Sequence, residues 1–169
     1  EQMLKYSREI GPENCVPERA IPMSHALICR ILTIPDGQDI LKGGKPWRWT
    51  TTYGLSVRTV FHVLSQCGFR KAEVALGAGK WGSDKMSFAS LKWIIDDETV
   101  LHPTVDQLRH LKKGDYALIM PGPSKADCFG MRWGNNPIWL PFDPAAAINA
   151  ASALAQWEIL SLIHISEPT

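Results

Sequence analysis

"PWRWTTTYGLSVRTVFHVLSQCGF", residues 46–69, is the stretch on which the fold turns. In its first part Trp47 and Trp49 alternate with polar neighbours, as in a short half-buried strand or extended segment. Its second part is helical. Val57, Val60, Phe61 and Leu64 fall at i, i+3, i+4 and i+7, a single apolar stripe, and Gly68 follows as a stop. A helix is therefore predicted from Gly54 to Cys67. The junction through Thr50, Thr51, Thr52, Tyr53 and Gly54 is the kind of place where enzymes mount a nucleophile, yet Tyr53 is a poor one.

Upstream, residues 1–22 are rich in Glu, Pro and polar groups and read as an irregular lead-in. "MSHALICRILTI", residues 23–34, is apolar enough for a buried helix or strand, and periodicity alone does not decide between them. "PDGQD", residues 35–39, and Gly43-Gly44 are turn signals. Residues 1–45 form a lead-in segment, expected to be truncated because the chain begins at Glu1 rather than Met.

Downstream, "ALGAGKWG", residues 75–82, is a Gly-rich loop. A second helix is predicted from Ser83, with Phe88, Leu91 and Ile95 on one face and Asp96-Asp97 near its end. "PTVDQLRHLKKGD" reads as a short helical turn ending at Gly114. "DYALIM", "DCFGMRW" and "NPIWLPF" read as three strands between Pro, Gly and Asn turns. Asp143-Pro144 forms an N-cap and first-turn pair for an Ala-rich helix to about Leu160. Helices followed by strands imply an α+β domain, residues 46–160. Residues 161–169, "SLIHISEPT", resemble the translation of a sequencing-library adapter and are set apart as a non-native tail.

The bulk numbers exclude several classes. With 45% apolar and 21% charged residues, the 169-residue chain has a globular balance and room for one core. The formal net charge is +1 and no run of Lys or Arg exceeds two, so the electrostatic footprint of a nucleic-acid partner is missing. No apolar stretch approaches the ~20 residues that span a bilayer. Cys15, Cys29, Cys67 and Cys128 are scattered without a C-x-x-C pair, which points to neither a metal site nor a disulfide framework and fits a reducing compartment. No cofactor is implied.

Most isolated motifs have ordinary explanations. "GAGK", residues 77–80, fails as a phosphate loop because position 74 is Val and position 81 is Trp. Asp96, Asp97 and Glu98 are better read as a solvated helix end than as an acidic site. His62 lies mid-helix without a partner at i+4, and His102 and His110 sit on surface turns.

One constellation carries more. "TTTYGLSVRTVFHVLSQCGF", then "LKKGDYALIM", then "KADCFGMRWGN" resembles the NlpC-type family of papain-like cysteine peptidases and amidohydrolases over about residues 46–142. In that family a Cys before Gly-Leu opens a helix, a Gly-Asp turn leads into a buried strand, and the next strand begins with His. The resemblance implies a papain-like core with N-terminal helices packed on a small antiparallel sheet, followed by a C-terminal helix. It places Tyr53 at the nucleophile position, or Thr52 after a one-residue shift, and Asp127 at the His position.

A helix N-terminus lowers the pKa of a Cys and favours its thiolate, and a facing His completes the ion pair. Tyr titrates near ~10 and Asp near ~3.9, so neither substitutes for the missing group. Cys128 is the alternative nucleophile, on a strand without a helix dipole. Cys67 lies at a helix C-terminus, where the dipole disfavours a thiolate. Both read as small buried hydrophobes. The resemblance thus implies a catalytically degenerate domain that binds peptide or peptidoglycan fragments, with Trp47, Trp49 and Trp133 lining the cleft. The alternatives are an active cysteine hydrolase of cell-wall peptides and a phage or bacterial structural protein that uses the fold as a packing unit.

Overall fold

Where the chain stops being helical and starts to alternate decides the architecture. The computed structural model describes residues 24–39, 44, 46–68, 90–121 and 136–166. Among these the fold is mixed α+β, with four helices and a four-stranded antiparallel sheet. Helix α1 spans His25–Leu32 and α2 Thr52–Cys67. They are followed by β1 (Leu91–Ile95), β2 (Glu98–Val100), the short α3 (Val105–Arg109), β3 (Tyr116–Ile119), β4 (Ile138–Pro141) and α4 (Ala150–Ser166). The predicted loop at 75–82, the strand "DCFGMRW" and residues 1–23 lie outside the described residues.

Helix α1 settles the ambiguity of residues 23–34. Ser24 caps it, accepting from the Leu27 amide at 3.2 Å, and of its residues only Leu32 is buried. Helix α2 begins two residues earlier than predicted. The Thr51 hydroxyl accepts from the Gly54 amide at 3.1 Å and lies 2.9 Å from the Arg48 carbonyl, to which it donates. Gly68 ends the helix at φ 66°, the left-handed cap that glycine adopts without a Cβ penalty.

Gly54 has a different reason to be glycine. A Cβ there would meet the Arg48 carbonyl oxygen at 2.0 Å, so the first turn of α2 crosses the 48–49 backbone in van der Waals contact. The Thr-Thr-Tyr-Gly junction is therefore a cap followed by a crossing.

The second predicted helix is, in its described part, strand β1. Leu91, Trp93 and Ile95 are buried and alternate with half-buried Lys92 and Ile94. Leu91 and Ile95 share a face in either conformation, because i and i+4 coincide on a strand as well as on a helix. Trp93, between them and fully buried, makes the pattern period two. Asp96 and Asp97 are then not a helix end. Both have positive φ, 52° and 65°, and they close the β1–β2 hairpin as a two-residue turn of the mirror-image type that such hairpins prefer. Asp96 also pairs with the Lys112 ammonium.

The sheet runs in the order β2-β1-β3-β4. Its register stacks Val100, Trp93, Ala117 and Leu140 across one face, with Leu91, Ile119 and Ile138 beside them. The predicted turn before β3 forms as expected, with Gly114 at φ 108°. Asp115, 2% exposed, ties that turn to the hairpin by accepting from the Lys112 amide at 2.6 Å and the Asp96 amide at 3.1 Å.

Helix α4 lies on the inner face of the sheet. Its apolar residues are spread around its circumference rather than along one stripe, the pattern of a helix covered on several sides. Ala150, Ala151, Leu154 and Ala155 join Trp93, Ala117, Ile119 and Leu140 in the core. The Trp93 indole N–H donates to Glu158 on α4 at 2.8 Å, which fixes the helix to the middle of the sheet. Helix α2 packs mainly on α4 and reaches the core through Val63 and half-buried Cys67. The C-terminal helix, rather than α2, thus carries the main helix-to-sheet contact.

The start of α4 differs from expectation. It does not start at Asp143-Pro144. Asp143 instead holds a turn, its carboxylate accepting from the Ala145 amide at 3.0 Å and its carbonyl from the Ala146 amide at 3.0 Å. Asn149 is the cap, accepting from the Ser152 amide at 2.9 Å. The helix also continues past Leu160 to Ser166, and Leu162 is packed against the core.

The close crossing at Gly54 yields a direct test. Gly54→Ala should lower stability by about 2 kcal/mol or more, as overpacking at a backbone contact does. The measurement is chemical denaturation of parent and variant, and equal midpoints would show that the 48–49 segment yields.

Candidate functional site

The face that α2 turns toward α4 is polar at its centre. Thr59, His62 and Val63 are buried there, whereas Val57, Val60, Phe61 and Leu64 of the predicted stripe are only partly buried. The Thr59 hydroxyl lies 2.9 Å from the Leu55 carbonyl and 3.2 Å from the Ala153 carbonyl, across the helix boundary. His62 Nδ1 accepts from the Asn149 amide at 3.1 Å, and Gln66 Oε1 accepts from the Ala150 amide at 2.6 Å. Side chains of α2 therefore cap the N-terminus of α4, whose first amides have no partner within their own helix.

His62 is the residue that sequence reasoning set aside. It is 5% exposed, and its pKa is lowered to about 4, first by burial and then by the Arg58 guanidinium. An Nδ1 that accepts from an amide carries no proton, so the neutral ring has its N–H on Nε2. Its partner lies 87 positions along the chain, which explains why no local spacing revealed it.

Beside this seam runs a cleft of about 230 Å³. Arg58 and His62 of α2 line one side, Ser152 and Gln156 of α4 the other, with Phe142 and Pro144 of the preceding turn closing it. The two pairs, Arg58/His62 and Ser152/Gln156, are each spaced i, i+4 on their helices, so each presents one face. This was the only signal in the sequence that could have found the site.

Tyr53 lies elsewhere. It is in the first turn of α2, 71% exposed, with its ring edge-on to Trp47 at 5.9 Å. Nine positions separate it from His62, about two and a half turns at ~3.6 residues per turn, so the two point to opposite sides of α2. Trp47 is half-buried and packs edge-on to Trp49 at 5.1 Å. Trp49 is buried, its indole N–H donating to the Ile34 carbonyl at 2.7 Å and its amide to Asp36 at 2.6 Å. Those two bonds pin the 34–36 loop, and the Trp49 amide is the main reason the Asp36 pKa is lowered. Trp47 and Trp49 are not in the cleft lining. Asp127, Cys128 and Trp133 lie outside the described residues.

The described thiols are placed for different chemistry. Burial pushes Cys67 up to about 11, so it stays a thiol at neutral pH. Cys29, on the surface helix α1, has its Sγ 3.5 Å from His25 Nε2, a contact the sequence reading did not single out. His102 and His110 are exposed, as expected. Glu158 has its pKa raised by burial, against the opposing pull of the Trp93 N–H and the His102 charge. Among the described residues no group of three or more His, Cys, Asp or Glu is placed to hold a metal ion. No described helix is long and apolar enough to cross a membrane. No protein-family model matches the chain, and no curated protein or solved structure does so either.

The depressed pKa of His62 links stability to pH. Below the unfolded value of 6.5 the unfolded chain binds a proton that the folded ring refuses, so stability falls as pH drops from there toward about 4. Complete linkage over that interval is worth about 3 kcal/mol. Glu158, with a raised pKa, acts in the opposite direction and is common to parent and variant. His62→Gln keeps an acceptor without titrating, and its urea midpoint should fall less than the parent's between pH 7 and pH 4. Parallel falls in the two proteins would remove His62 as the cause.

Proposed function

We propose that this domain is a catalytically degenerate NlpC-like module that binds peptide or amide ligands without cleaving them. The reading rests on the resemblance over residues 46–142, and the observation that carries it is the opening of α2. Thr51 caps that opening and Gly54 permits the crossing, an arrangement compatible with a helix-mounted nucleophile, and an exposed phenol stands at the aligned position. A phenol is not the thiol on which the family's chemistry depends.

The Gly-Asp turn at Gly114-Asp115, in which Asp115 is buried, supports the papain-like part of the proposal, because it leads into a largely buried strand as the family's turn does. The polar cleft along α2 supports the binding part. Small ligands bind in concave sites with a few placed polar groups, and Arg58, His62, Ser152 and Gln156 supply these.

One observation favours the enzyme alternative, the Cys29–His25 contact. Against it, Cys29 is in the body of α1 rather than at its N-terminus, so the helix dipole gives its thiolate no first-turn assistance.

The test is release of free amine from cell-wall peptides and generic amide substrates, run beside a binding measurement on the same fragments. Saturable binding with no turnover is expected. Tyr53→Cys alone should restore little, because catalytic groups that act as a unit are strongly non-additive. Robust turnover by the parent, lost on Cys29→Ala or Cys128→Ala, would overturn the proposal and assign a working hydrolase.

A further inference from the structure

The cleft beside α2 has a definite chemical bias. Its lining contains one cation, Arg58, and no carboxylate. Arg58 makes no ion pair among the described residues, so its guanidinium is not committed to a carboxylate there. His62, 5% exposed, spends Nδ1 on the Asn149 amide at 3.1 Å and keeps Nε2–H as its remaining polar group. Among the described residues the fully buried donor without a partner is Trp47 Nε1, not His62 Nε2, so the His62 Nε2–H keeps access beyond its own packing and His62 lines the cleft.

Ser152 and Gln156 add hydroxyl and amide groups on the facing helix, and Phe142, Pro144 and Ala147 supply apolar wall. At about 230 Å³ the cleft is smaller than the range of drug-sized sites and suits a group the size of one small residue.

We infer that this cleft is a carboxylate-binding site that holds the C-terminal residue of a peptide, with Arg58 and the His62 Nε2–H as its donors and the Phe142–Pro144 wall receiving a small side chain. The inference rests on the binding-module reading and names the chemistry at one end of its ligand. Arg suits this role because its planar fork matches the two oxygens of a carboxylate. His62 suits it because a ring that stays neutral at physiological pH donates without adding charge, so its capping bond to Asn149 survives when the ligand binds. A protonated ring would lose that bond, since both of its nitrogens are then donors.

The experiment titrates the protein with N-acetyl-alanyl-alanine, its C-terminal amide, acetate and inorganic phosphate, read by backbone amide shifts at Asn149, Ala150 and Ser152. The free acid should shift these amides saturably, and the C-terminal amide should bind at least ten-fold more weakly. Arg58→Gln should weaken the acid at least ten-fold. Gln156→Glu, a change at an exposed position that brings a like charge to the rim, should do the same with the fold intact. Equal binding of acid and amide together with an unchanged Arg58→Gln overturns the carboxylate site while leaving a peptide-binding module. Acetate or phosphate binding as tightly as the dipeptide overturns the peptide end as the occupant. Absence of binding by any of the four overturns both the inference and the module reading.

Discussion

The N-terminus of α4 is capped by another helix, and the rest of the domain follows from that contact. A helix beginning in the interior leaves several amides without partners, and each unpaired buried donor costs roughly 1–3 kcal/mol. Here the Asn149 amide goes to His62, the Ala150 amide to Gln66 and the Ser152 amide to the Asn149 side chain. Asn149 Nδ2 in turn donates to the Asp143 carbonyl at 2.6 Å, which links the cap to the turn after β4. With its end satisfied, α4 can lie against the sheet, where alanines allow close approach and Trp93 meets Glu158. The seam therefore holds α2, α4 and the sheet in one arrangement, and it requires a neutral imidazole at its centre.

The same seam makes the candidate site. The turn at 143–149 must reach His62 before α4 can begin, and the space left beside that path is the cleft. The aromatic cluster of Trp47, Trp49 and Tyr53 belongs to the other side of α2, where it fixes the loop at 34–36. A single helix thus carries the exposed Tyr53 on one side and the polar cleft on the other. Recognition centred on Arg58 and His62 does not need the position that Tyr53 occupies.

How much of this was readable depended on whether the determining partner was local. Helix α2, the Gly68 stop, the Gly114 turn, β3 and β4 were legible because stripe, stop and alternation lie within a few residues of one another. Strand β1 was misread because Leu91 and Ile95 satisfy both periods, and the choice rests on Trp93 finding Ala117 across the sheet. The start of α4 was misplaced because Asp143-Pro144 and Asn149 are both sound local caps, and the selection between them is made by His62 and Gln66. The capping role of His62 carried no sequence signal, since its spacing to Asn149 has no local meaning. The Asp96-Asp97 pair was read by its charge, while its role is conformational, at two successive positive φ angles.

The claim on which the account depends is that His62 is a neutral acceptor in the interior. It is tested most directly by nitrogen NMR of the imidazole across a pH titration of the folded protein. The account predicts a fixed tautomer at neutral pH, with Nδ1 bare and the proton on Nε2. It also predicts a titration midpoint near the depressed value of about 4 rather than the ordinary 6.5. A midpoint near 6.5, with the two nitrogens exchanging a proton freely, would contradict it and with it the capped junction of α2 and α4.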